Sequence, residues 1–217
     1  MSKTTSFLMS SVGRKMVMAL SGLFLCSFLV VHLYINLFLF KSDYGVEFDA
    51  YSHFMATYPL IRPIEIVLFL GFLLHAVVGI WLWLMNRRAR PVKYEVLKAS
   101  ENSALSSRIM WVTGFIVAAF LVVHINSFFI TSRFLTPERS MFVIVREVFR
   151  NPWYDAFYVV ALGFLAYHLK HGFQSAFQTF GLRGTRYQRL IDLVAMIFWL
   201  LIPIGFAAMP LYFLWAY

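Results

Sequence analysis

The sequence predicts an all-α membrane protein: five transmembrane helices, four of them in a bundle and one beside it. Three observations predict this. The chain is 61% hydrophobic and only 13% charged, with a mean hydropathy of +0.73, far outside the soluble range. Five apolar stretches each approach the roughly 20 residues that cross a bilayer. Two of these stretches echo two others at a nearly fixed offset, so the bundle reads as a parallel repeat plus one extra helix.

The whole chain, residues 1–217, reads as a single transmembrane domain. The first span covers about residues 16–40. It stays apolar well past the core of a signal peptide, so it is not read as a cleaved leader. The second covers about 62–86 and the third about 109–132. The fourth, about 153–178, is the least apolar, with a charge-free core of only 156–169. Lys170 must then snorkel to the surface or face a polar interior. The fifth, about 189–215, contains Pro203 and Pro210, which predict a kink. Between spans, residues 42–58 read as an acidic, aromatic loop. Residues 136–152 read as an interfacial amphipathic helix, with Val143, Val145, Val148 and Phe149 opposite Arg146, Glu147 and Arg150.

Lys and Arg placement sets the expected orientation. The N-terminus, the 87–108 connection and the 170–189 connection hold 13 of the 19 basic residues. The other side holds Lys41, Arg62, Arg133, Arg139, Arg146 and Arg150, with seven of the ten acids. This predicts a cytoplasmic N-terminus and an outer C-terminus. The basic side also attracts anionic lipid. Nucleic acid is not an expected partner, because no sizeable soluble domain is available.

The repeat carries the chemistry. Phe28-Leu29-Val30-Val31-His32 recurs as Phe120-Leu121-Val122-Val123-His124, and Leu70-Gly71-Phe72-Leu73-Leu74-His75 is echoed by Leu162-Gly163-Phe164-Leu165-Ala166-Tyr167-His168. Ser21-Gly22 matches Thr113-Gly114, and Met18 matches Met110. A histidine inside a bilayer is costly without a partner, so four at repeated positions are functional candidates. At 1.5 Å per residue, His32 and His124 lie about 23 Å from the inner edge, while His75 and His168 lie about 20 Å from the outer edge. Depth therefore couples His32 with His124 and His75 with His168. Two bis-histidine haems satisfy all four rings. Cys26 is the single cysteine and no CxxCH site exists, so such haems are held by coordination alone and are b-type. The expected fold is then a four-helix haem-binding bundle plus one helix.

Each ligating ring needs an acceptor for its other N–H. Backbone carbonyls one turn earlier, or Ser27, are candidates. Gly71 and Gly79 flank His75 and would admit a porphyrin. His171, with Lys170, Arg14 or Lys15, either contacts a haem propionate or is simply interfacial. His53 is expected in solvent. The competing reading is a haem-free transporter or scaffold whose histidines bond across helices. The parallel repeat counts against it, because transporters often carry inverted ones.

These residues resemble the cytochrome b membrane anchor of succinate:quinone oxidoreductases, in the type with one five-helix subunit and two haems. The resemblance covers nearly the whole chain. It rests on Ser10-Ser11-Val12-Gly13-Arg14-Lys15 before span one, one histidine in each of the first four spans, and the segment His168-Leu169-Lys170-His171-Gly172-Phe173-Gln174-Ser175-Ala176-Phe177-Gln178-Thr179-Phe180-Gly181. It implies an enzyme complex in a bacterial cytoplasmic membrane. A flavoprotein subunit with covalent FAD and an iron–sulfur subunit would dock on the basic cytoplasmic face. The haem at His75 and His168 would be proximal, and the haem at His32 and His124 distal. A quinone, usually menaquinone in this type, would react near the distal haem.

Quinone chemistry needs a proton route, for which Glu47, Asp49 and Glu65 qualify. Glu47 is the best positional match to the outer glutamate of the family's fumarate reductases, or else a solvated surface acid. Some fumarate reductase relatives carry a glutamate two residues before the fourth histidine. Ala166 stands there, which tilts the expectation from quinol oxidation toward succinate oxidation. The anchor of another b-haem dehydrogenase, such as a hydrogenase or formate dehydrogenase, remains an alternative.

Overall fold

Caps written into the sequence start several helices of the computed structural model, which describes residues 10–88, 105–184 and 186–216. Ser10 Oγ accepts the Gly13 N–H at 3.0 Å and opens α1 (Ser11–Asn36), which ends in a 3-10 turn, Leu37–Phe40. Then come α2 (Val46–Thr57), α3 (Ile61–Arg88) and α4 (Leu105–His124), which continues as a π-helix, Ile125–Leu135. Ser140 caps α5 (Met141–Val148), and Asn151 with Pro152 starts α6 (Pro152–Thr179). The chain closes with α7 (Gln188–Met196), a second π-helical stretch, Ile197–Leu201, and α8 (Ile202–Ala216). No strand occurs among the described residues.

Among the described residues, four helical stretches are long and apolar enough to cross a membrane: Val12–Phe40, Ile61–Arg88, Ile109–Leu135 and Gln188–Ala216. The fourth predicted span, α6, is a continuous helix of 28 residues but is not among them. Its surroundings give the reason. α6 packs against α1, α4, α7 and α8 and buries Asp155, Tyr158, Leu162, Leu169 and Phe173. A helix surrounded by protein needs less apolar surface than one facing lipid. α3 is the opposite case. It exposes Ile64, Ile66, Leu70, Leu73, Val77 and Ile80, and buries only Val78.

Contacts close a ring of α1, α3, α4 and α6, with α7 and α8 laid against α6 and α1. Two apolar clusters tie the other helices to it. One gathers Leu39, Phe48, Phe128, Phe142, Phe149, Tyr158 and Phe213; the other gathers Cys26, Leu169, Phe173, Ile191 and Ala195.

Three expectations are corrected. Residues 42–58 are not a plain loop, because α2 occupies most of them. Asp43 starts it, accepting the Gly45 and Glu47 N–H groups at 3.0 and 2.9 Å, and those bonds hold its carboxyl below the usual range. Second, α5 is amphipathic as expected, with Glu147 and Arg150 exposed, but its apolar face packs on protein. Its Phe142, Ile144 and Val145 are buried, and Asp49 of α2 accepts from Ser140 Oγ at 2.5 Å and from the Phe142 N–H at 2.8 Å. Third, the kink expected at Pro203 takes the form of the π-helical stretch just before it. Proline has no N–H to donate, and its ring displaces the carbonyl four residues back, at Trp199. Lys3 and the basic residues of segment 89–104 lie outside the described residues.

Candidate functional site

Helices α1 and α4 bring the His32 and His124 ring centroids to 5.7 Å, with the planes at 83°. Helices α3 and α6 bring His75 and His168 to 6.3 Å, at 72°. Both couples are those that depth predicts. Among the described residues, no group of three or more His, Cys, Asp or Glu gathers as a metal site, so the rings come in twos. The separation suits one metal between each couple. Such a metal would be held by His32 with His124 and by His75 with His168. Edge-to-face contact between the rings falls in the same range.

The His75–His168 couple is held symmetrically. Ser21 Oγ lies 3.1 Å from His75 Nδ1 and 3.1 Å from the Met18 carbonyl. Thr113 Oγ1 lies 3.3 Å from His168 Nδ1 and 2.9 Å from the Met110 carbonyl. Beside each hydroxyl a glycine faces the ring edge: a Cβ on Gly22 would stand 3.2 Å from His75 Cε1, and one on Gly114 3.5 Å from His168 Cε1. The matched methionines pack on matched glycines, Met18 on Gly79 and Met110 on Gly172. The Ser/Thr–Gly repeat is thus the support of the couple. Phe24 lies beside Gly71 and Met18 beside Gly79, where a Cβ would stand 2.7 and 3.4 Å from them. Ser27 is no ring partner; it is exposed and donates to the Phe24 carbonyl at 2.7 Å. An apolar groove of about 430 Å³ runs beside this couple between α1 and α3, lined by Val17, Ser21, Phe24, Val67, Gly71 and Leu74.

The His32–His124 couple is held differently. His124 Nδ1 lies 3.1 Å from the Tyr158 hydroxyl. Tyr158 stacks on Tyr154 at 4.9 Å, and Tyr154 bonds Ser127. Asn36 Nδ2 donates to the His32 carbonyl at 2.8 Å, with His32 Nδ1 at 3.5 Å. Phe28 and Phe206 flank His32, and Phe120 and Phe128 flank His124.

The remaining candidates are spread out. The Arg14 guanidinium lies over Trp81 at 5.1 Å, and Lys15 is exposed. His171 sits half-buried one turn past His168, while Lys170 reaches over Trp199 at 4.6 Å. His53 is exposed on α2. Glu47 pairs with Lys41 at 2.5 Å and raises the lysine above its ordinary range. Glu65 pairs with Arg62 and Arg133, both at 3.1 Å. Asp49 serves α5, as above.

Sequence reasoning missed Tyr158, Asn36 and Asp155. Asp155 is 2% exposed, and neither carboxylate oxygen has a hydrogen-bond partner among the described residues. Ser21 and Thr113 were visible as a matched pair, but their contact with the rings was not.

No family model, no curated protein and no solved structure matches this chain.

Proposed function

We propose that the chain is the dihaem cytochrome b anchor of a succinate:quinone oxidoreductase, carrying electrons between an iron–sulfur subunit and menaquinone. The observation that carries this is the spacing of the two histidine couples inside one bundle, 5.7 and 6.3 Å between ring centroids. A haem held by these rings would supply one-electron transfer.

The chain's own residues do the rest. Four helices set the ring spacing and form the haem-binding bundle, with α7 and α8 as a fifth span. Ser21, Thr113 and Tyr158 orient the imidazoles. Phenylalanines around His32 and His124 exclude water from that couple. Arg14, Lys15 and His171 are assigned to propionates, and Glu47 to the proton route of the quinone. The basic face is cytoplasmic, in a bacterial inner membrane, and receives the flavoprotein and iron–sulfur subunits that the family resemblance implies. Ala166 favours succinate oxidation over the fumarate reductase direction.

The test is purification of the tagged chain from its native membrane. The expected result is a complex with one covalently flavinylated and one iron–sulfur subunit, whose b-type absorbance is reduced by succinate. A chain that purifies without either partner, with a spectrum indifferent to succinate, overturns the proposal.

A further inference from the structure

We propose that Ser21 and Thr113 are positioning residues that fix the ring proton of His75 and His168 on Nδ1, leaving both Nε2 atoms bare for one shared metal. The use of that metal rests on the function proposed above; the position of the proton does not.

The argument counts protons. A hydroxyl has one proton to donate and lone pairs to accept with. Ser21 Oγ touches two groups, the Met18 carbonyl at 3.1 Å and His75 Nδ1 at 3.1 Å. The carbonyl can only accept. If the hydroxyl donates to it, the back-bond common for Ser and Thr in helices, then Nδ1 must carry a hydrogen and donate to the oxygen. Both contacts are then hydrogen bonds. If instead the hydroxyl donates to Nδ1, the contact with Met18 holds two acceptors and no proton, and one bond is lost. Inside a bilayer no bulk water replaces it. The Nδ1–H form is therefore the one that satisfies the site.

The same arrangement occurs a second time, at the matched positions of the repeat. Thr113 Oγ1 lies 2.9 Å from the Met110 carbonyl and 3.3 Å from His168 Nδ1. Thr113 is 1% exposed, so solvent has no access to it. Gly22 and Gly114 leave room for the rings, since a Cβ there would stand 3.2 and 3.5 Å from Cε1, the atom between the two ring nitrogens. The other couple lacks this device, using Tyr158 and Asn36 instead. The two couples are thus chemically unequal, although their histidines repeat.

The test uses the full chain in nanodiscs with ¹⁵N-labelled histidine. Ring nitrogen shifts report the tautomer, and His75→Gln and His168→Gln assign the signals. Both rings are expected as Nδ1–H in the haem-free chain. Ser21→Ala should move His75 alone, and Thr113→Val His168 alone, toward a mixed tautomer; Ser21→Thr and Thr113→Ser should restore the parent signals. In a His32→Ala background, which isolates the lower site, Ser21→Ala or Thr113→Val should weaken haemin binding about 10–100-fold. An Nε2–H ring in the parent, or variants with unchanged tautomer, overturns the inference and leaves the haem proposal standing if haemin binds. A parent with the expected tautomers that binds no haemin supports the proton assignment and removes the haem proposal.

Discussion

His32, His75, His124 and His168 each face another histidine across the bundle, and that separates them from His53 and His171. Their positions were legible because the sequence repeats them. The repeat also carried Ser21 and Thr113, whose partners became clear only once α3 and α6 were placed. Tyr158 has no such twin, since Ile66 stands at the matching position, so nothing in the pattern pointed to it. Tyr158→Phe should leave the fold intact but weaken the His32–His124 site about 10-fold for haemin, read by titration of the haem-free chain. Asp155 was illegible for another reason: an acid near a helix start normally looks like a solvated first-turn residue. Here it is buried without a protein partner among the described residues. Asp155→Leu should therefore stabilise the chain by about 1–3 kcal/mol, seen as a higher unfolding midpoint in detergent.

Helix α6 shows how hydropathy and burial diverge at the scale of elements. Its sequence alone looks marginal as a span, yet it is the helix most enclosed by others. Lipid-facing α3 announces itself by composition, whereas a protein-lined helix does not. α2 was hidden because one residue, Phe48, makes its buried face, too little for a periodic stripe. Its start depends on Gly45, which holds φ 87° with the Phe142 ring packed where a side chain would go. Gly45→Ala should cost about 2–4 kcal/mol through backbone strain and overlap, detected as a lowered unfolding midpoint. The π-helical stretch directly after His124 was also illegible. Its Thr131 hydroxyl and the Thr136 N–H bond carbonyls five residues back, a register that no sequence period encodes.

Charge asymmetry sets the expected orientation of the whole molecule, and the proposal needs that orientation. A membrane-impermeant maleimide applied to intact cells should label Val46→Cys and spare Arg183→Cys, both exposed positions at opposite ends of the bundle. The reverse pattern would place the basic face outside and remove the docking side. The central claim, however, is the pair of haems, and haem content of the purified chain tests it most directly. A reduced-minus-oxidised spectrum with a pyridine haemochrome assay should give about two b-type haems per chain, and His32→Ala or His75→Ala should each remove one. A colourless, well-folded protein would contradict the account.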